Sequence, residues 1–521
     1  MSAQIGLYYP ILRDKFQQNL LAVAGWTILC ACAFGVLLLW SFAVEVRMPK
    51  LSIALEDEVP DRQERIDIFI KDTRRLFITS YNKFQNRVFG INTTEGTNII
   101  IPLELLHGLG SHKSLSFAAF LEEEFSMKKY TKVGNLDEKQ IAIVNKKLNP
   151  SLPQYVPVLI DLIRSHWPLE TYGVPTVVKP WPHVMRQVSR VSARLFHSAE
   201  SADNDQWLDI ASEHVHSAVI WTENLKKWPG ALRPFVHRFV KGRGIMMQRF
   251  GEGKALVAKT LQRRRLLGGK PMSCPPALLD YLADMVLGPD DVEAHTVSQI
   301  NLCVAAIQSM AATVTQCLMD LATYPEYISE LRDEIEMVLA RGNGVLSKQS
   351  LTDMMKLDSV IKETQRLNPP DLASFQRKVM SDFTLSNGLR IPKGARIALP
   401  TGAINMDQDL FQNPEVFDGL RFYRMRVAKD EARSSNQMVT VGKKDLTWGY
   451  GRHACPGRYI AEVAMKLLLI EYITRYDIRL SGDLKTRPKN IEFEGLVIPD
   501  PDWELLLTSR LTNETASGRE S

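Results

Sequence analysis

The chain has 521 residues, 45% of them hydrophobic and 24% charged, with 64 basic residues against 59 acidic ones. That near balance, without a basic run or a basic–aromatic stripe, excludes a nucleic-acid binder. Six cysteines are too few to staple a chain of this length, so a reducing compartment is expected, with one cysteine free for chemistry.

Residues 1–19 read as a short N-terminal tail. From Leu20 to Val44 the chain carries no charge. A bilayer needs roughly 20 apolar residues, and a signal peptide's apolar stretch is only about 7–15, so 20–44 is expected to be a transmembrane anchor partnered by membrane lipid. Trp26 and Trp40 suit the two interfaces. With no linker or repeat beyond it, residues 45–521 read as a single large domain. A strand pair is expected at Arg87–Ile91 and Asn98–Ile101, around Thr94-Glu95-Gly96. Helical periodicity is strongest from Asp291 to Thr323, with Asp290 and Asp291 as caps and Tyr324-Pro325 as the stop. Such a helix runs about 50 Å, and its apolar stretch from Leu302 to Ala312 implies burial on nearly all sides. Further helices are expected near 326–341, 351–367 and 456–475, and a second hairpin over Phe383–Ile391 turns at Asn387-Gly388. The fold class is mainly α with a small β region. The sequons at Asn92 and Asn513 are read as chance.

The strongest chemical signal is Trp448-Gly449-Tyr450-Gly451-Arg452-His453-Ala454-Cys455-Pro456-Gly457-Arg458. A glycine-rich loop delivers one cysteine to the start of an amphipathic helix, where N–H groups and the positive helix end favour a thiolate and a depressed pKa. No CxxC or CxH spacing surrounds Cys455, so zinc or a dithiol site is excluded. A single thiolate ligand to haem iron fits.

This segment resembles the haem-binding signature of the cytochrome P-450 family, F-x-x-G-x-[RH]-x-C-x-G. Gly451, His453, Cys455 and Gly457 match its positions, and Trp448 replaces the usual Phe. Glu363-Thr364-Gln365-Arg366 resembles the family's E-x-x-R pair, and Arg421 within Asn413–Phe422 would complete a structural Glu363–Arg366–Arg421 cluster. Ala305-Ala306-Ile307-Gln308-Ser309 resembles the oxygen-activation motif of the family's long helix, with Ser309 in place of Thr and Gln308 in place of the acid. Serine keeps a hydroxyl for proton delivery, whereas glutamine cannot supply a proton as a carboxyl would. Arg377 stands where the family binds a haem propionate, as does His453.

The resemblance implies the cytochrome P-450 fold behind a transmembrane helix, with haem b (iron protoporphyrin IX) held by Cys455 as the metal ligand. It implies a monooxygenase using O2 on a small apolar substrate, closest in look to fungal enzymes of terpenoid-type secondary metabolism. Electrons would come from an NADPH-cytochrome reductase, facing Lys443, Lys444, Arg452 and Arg458 on an endoplasmic-reticulum enzyme with a cytosolic catalytic domain. Catalytic roles fall to Ser309 and Gln308. Pocket walls would include Leu302, Ala305, Ala306, the Asp371–Phe375 loop and Leu496 to Ile498. The alternatives are a haem-thiolate isomerase or dehydratase needing no reductase, and a non-catalytic haem-binding protein.

Overall fold

The computed structural model describes residues 48–125, 137–167, 174–230, 232–428 and 435–510, together with Gly35. Apart from Gly35, the anchor expected over 20–44 lies outside these residues, as does the sequon at Asn513. Asn92 is buried and accepts a 2.8 Å hydrogen bond from Arg65 Nε, so its side chain serves the core.

A central helix, Val292–Thr323, organises the domain. Asp291 caps it by accepting from the Ala294 N–H at 2.9 Å, whereas Asp290 pairs with Arg265. The side-chain oxygen at the N-cap satisfies a donor that has no partner inside the helix. Against the central helix pack Pro180–Phe196, Asp205–Lys226, Arg243–Leu266, Met355–Leu367 and Arg458–Arg475. It is long and apolar enough to cross a bilayer, but 72% of its apolar window is buried inside the protein. Val314, Cys317, Leu318 and Leu321 meet Val188, Val191, Ile361, Leu467 and Leu468 in the main core.

The helix expected over 351–367 is two helices, Lys348–Asp353 and Met355–Leu367, broken at Met354. The break has a partner: the Glu334 carboxylate, from the helix Glu326–Arg341, accepts the N–H groups of Lys356 and Leu357 at 2.7 and 2.9 Å. A cap supplied across the fold cannot be read from local periodicity.

Five strands form the largest sheet, in the order Phe89–Thr93, Gly96–Ile100, Arg396–Leu399, Ser374–Val379 and Leu115–Ser116. The first two are the hairpin expected around Thr94-Glu95-Gly96. The second and third run parallel, with Asn98 opposite Arg396 and Ile100 opposite Ala398. A bulge lies between Ser374 and Arg377, where Phe375 takes a φ of 51°. The extra residue re-aims the strand so that Arg377 points away from the sheet's regular alternation. The hairpin Phe383–Thr384 with Arg390–Ile391 also forms as expected, turning through Gly388 at φ 87°.

Candidate active site

The cysteine loop is held by short-range hydrogen bonds. The Cys455 N–H donates to the Trp448 carbonyl at 2.7 Å, and the Ala454 N–H donates to the Gly451 carbonyl at 3.1 Å. Gly451 sits at φ 68°, and a Cβ there would lie 2.6 Å from the Gly110 carbonyl oxygen. Only glycine allows both the left-handed backbone and this approach of two chains. Gly457 precedes the helix Arg458–Arg475, and the Arg458 guanidinium donates to the Cys455 carbonyl at 2.7 Å. The Trp448 indole N–H donates to the Met438 carbonyl, which locks the ring into the loop.

The thiol is not depressed in the protein alone, contrary to the sequence expectation. Burial pushes its pKa up, and the Gly457 and Arg458 N–H groups with the Arg458 charge offset this only in part. Helix-end stabilisation was the right sign but the smaller effect. The remaining positive charge that a thiolate needs here is what a metal ligated by the sulfur provides.

On the other side of the loop Arg377 is 3% exposed and lies over the rings of Phe375 and Phe117, at 4.4 and 5.1 Å. Burial and the Arg452 charge lower its pKa to about 10. His453 accepts from Arg452 Nε at 3.0 Å and is pushed down to about 4 by burial, Arg377 and Arg452. Three nitrogen bases thus crowd together, and no carboxylate among the described residues enters the electrostatics of Arg377 or His453. Such a set is incomplete without anions, and the two propionates of haem match it in charge and hydrogen-bonding chemistry.

The structural cluster forms as expected. Glu363, 0% exposed, accepts from Arg366 at 2.9 and 2.8 Å and from Arg421 at 3.1 and 3.2 Å. Arg366 also donates to the Asn405 carbonyl, and Arg421 to the Val416 carbonyl. The cluster thereby ties the helix Met355–Leu367 to the segment leading toward the cysteine loop.

The central helix is not buried throughout. Between Ser298 and Ala322 all side chains are sealed except Val304, Ala305, Ala306, Gln308 and Ser309. The window coincides with the small-residue motif and leaves space against one stretch of the helix. The Ser309 hydroxyl donates to the Ala305 carbonyl at 3.1 Å, and the Thr313 hydroxyl donates to the Ser309 carbonyl at 3.0 Å. Together, the cysteine loop, the Arg377 and Arg452 cations with neutral His453 beside them, and this window fit a haem group.

A cavity of about 370 Å³ reaches from Leu446, Thr447, Gly449 and His453 to Phe69, Phe77 and Leu496. Of the walls expected at Asp371–Phe375 and Leu496 to Ile498, Asp371, Ala373, Ser374, Phe375 and Leu496 line it, whereas Leu372, Val497 and Ile498 do not. Leu302, Ala305 and Ala306 do not. Leu302 is 5% exposed within the main core, and Ala306 packs against that core. The cavity is also less apolar than expected, because Glu95, Glu124, Glu223, Asp371, Glu494 and Arg396 share its lining with Phe117, Phe120 and Ile100. Of these charged positions only Asp371 fell in an expected wall, and no motif announced the others. Their only signal is that ionisable residues recur at intervals across strands and helices that fold together.

Known proteins resemble the chain over most of its length. A family model described as Cytochrome P450 matches residues 204–507. The cytochrome P450 monooxygenase ATR3 of Stachybotrys chlorohalonatus is 31% identical, over 79% of this chain and 88% of that protein. The cytochrome P450 monooxygenase paxP of Penicillium paxilli is 28% identical, over 87% of this chain and 89% of its own. The solved structure of retinoic acid bound cyanobacterial CYP120A1 superposes with a TM-score of 0.66 at 18% identity, covering 89% of this chain and 99% of that one, and shares the fold.

Proposed function

The chain belongs to the cytochrome P450 family, and from that premise we propose a monooxygenase of fungal secondary metabolism whose substrate is a terpenoid or related skeleton. The family's cofactor is haem with a cysteine thiolate as axial ligand, and here the ligand is Cys455. When bound, haem supplies the iron at which O2 is activated and one oxygen atom passes to the substrate. The observation that carries the proposal is the Cys455 loop beside buried Arg377 and His453, in a chain whose central helix is open only at five positions between Ser298 and Ala322.

The protein's own groups have separable tasks. Cys455 provides the thiolate, and the Gly457 and Arg458 N–H groups restrain its charge. Arg377 and His453 hold the propionates. Ser309 moves protons by releasing the Ala305 carbonyl and offering its hydroxyl into the window. Gln308 cannot titrate, so it donates a hydrogen bond and orients water in place of the family's acid. Electrons come from an NADPH-cytochrome reductase. Lys443, Lys444 and Arg452, exposed beside the cysteine loop, support an acidic partner there, acting chiefly on association rate. Arg458 is instead occupied with the Cys455 carbonyl. We place the enzyme on the endoplasmic reticulum, anchored by residues 20–44, with the catalytic domain in the cytosol.

The test is the reduced carbon monoxide complex of the purified protein. Wild type should show the red-shifted Soret band of a thiolate-ligated haem, and Cys455→Ala should lose it. An intact band in the variant refutes the assignment. Products formed from terpenoid scaffolds with reductase and NADPH, read by mass spectrometry, then test the substrate class.

A further inference from the structure

Five carboxylates line the cavity, and four of them are paired with cations. Glu124 meets Lys226 at 2.5 Å and Arg396 at 2.8 Å, Glu223 meets Lys226 at 3.0 Å, Glu494 meets Lys226 at 3.7 Å, and Glu95 meets Arg233 at 3.0 Å. Asp371 is different. Its Oδ1 accepts from the Ala373 N–H at 2.8 Å and its Oδ2 from Gln376 Nε2 at 3.0 Å, both neutral donors. A carboxylate offers about four lone-pair sites, so accepting capacity remains. Gly495 lies opposite, where even a Cβ would come within 3.4 Å of Oδ1, and its missing side chain leaves the carboxyl within reach of the cavity.

The cavity lining holds other unspent polar groups. Arg396 is 5% exposed, and its Nε and Nη2 have no hydrogen-bond partner, although Glu123 lies 3.4 Å from Nη2. Asn98, its register neighbour on the parallel strand, leaves Oδ1 unpartnered. Burying donors and acceptors unused is costly, which marks this wall as built for something polar. Phe69, Phe77, Phe117 and Phe120 also line the cavity and suit an apolar body, with Phe120 lying under the Arg396 guanidinium at 5.5 Å.

We propose that Asp371 anchors a hydroxyl group of the substrate, so that the enzyme takes apolar skeletons already carrying a hydroxyl. A hydroxyl donates one hydrogen to Asp371, which a methyl ether cannot do. The proposal rests on the monooxygenase reading and adds a specificity-determining residue to it. It also places the enzyme after a reaction class that installs a hydroxyl on the hydrocarbon, such as a hydroxylation, an epoxide opening or a water-quenched cyclisation. The carboxyl's pKa is raised to about 7, with burial the largest cause, so at pH 8 it accepts and at pH 6 it is mostly protonated.

The experiment measures binding of farnesol and of farnesyl methyl ether to the full-length ferric holoenzyme by calorimetry. The readout is the dissociation-constant ratio, ether over alcohol, which cancels partition into detergent between variants. At pH 8 wild type should give a ratio of about ten, the worth of one charge-assisted hydrogen bond. In Asp371→Asn the Ala373 N–H holds the amide oxygen, so an acceptor stays in place but its charge is lost, and the ratio should fall to about threefold or less. If that variant does not fold, wild type at pH 6 should show the same fall, since a protonated carboxyl donates to alcohol and ether alike. A wild-type ratio near one at pH 8, or a ratio unchanged in Asp371→Asn or at pH 6, overturns the proposal. Absence of the thiolate Soret band from wild type instead overturns the haem reading, independently of any binding ratio.

Discussion

Lowering the pH from 7 to 5 should destabilise the domain through histidines that fold neutral. His214, 1% exposed on the helix Asp205–Lys226, has no well-formed hydrogen bond at either ring nitrogen. Burial lowers its pKa from 6.5 to about 4, with the Met246 backbone offsetting a small part. His197 is equally buried, stacks on Trp207 with centroids 4.0 Å apart, and is lowered to about 3 by burial and by His295. Below pH 6.5 the unfolded chain binds protons that the folded one refuses, so stability is present above that pH and is lost as pH falls toward the folded pKa values. For one group with pKa values of 6.5 unfolded and about 4 folded, the loss between pH 7 and 5 is about 1.8 kcal/mol. Together, His214 and His197 should cost about 3–4 kcal/mol over that interval. His214→Phe keeps the ring's shape beside Phe250 and removes one titration. Urea unfolding of wild type and variant at both pH values isolates the term, because every other titrating group cancels in the difference. A variant as pH-sensitive as wild type refutes the reasoning.

Three further outcomes are expected. Glu363→Gln leaves two buried guanidinium groups facing an amide and should cost about 3–5 kcal/mol; a loss below about 1 kcal/mol in denaturant titrations would contradict the cluster's role. Gly451→Ala must accommodate φ 68° and a contact 2.6 Å from backbone oxygen, so haem content per protein, read by absorbance, should fall severely. A normal haem content would show that the loop can move. Ser309→Ala should lower product formed per NADPH by at least about tenfold if its hydroxyl moves protons, in line with the usual worth of a positioned acid–base group. Unchanged coupling would remove Ser309 from the proton route.

What could be read from the sequence depended on whether the information was local. The cysteine loop is one contiguous run, and Glu363 with Arg366 is an i,i+3 pair on one helix, so spacing alone placed them. Asn387-Gly388 and Glu95-Gly96 likewise carried their turns with them. The cavity's character was not legible, because Phe120 with Glu124, Asp371, Arg396 and Glu494 come from four separate stretches, each with an ordinary local pattern. Other errors were of balance. Asp290 and Asp291 look equivalent as caps until Arg265 claims one of them. Cys455 looked like a ready thiolate because helix-end effects show in sequence, whereas burial does not.

The parallel pairing of Asn98 with Arg396 also bears on how the protein is made. The two partners are 298 residues apart. At ribosomal rates of about 5–20 residues per second, the hairpin Phe89–Ile100 leaves the ribosome roughly 15–60 s before its neighbouring strand exists. Throughout that interval its inner edge lacks a partner, and Asn98 and Ile100, later part of the cavity lining, have no Arg396–Leu399 strand beside them. The pocket is therefore among the last parts of the enzyme to be completed during synthesis, and its shape is withheld until most of the chain has been translated.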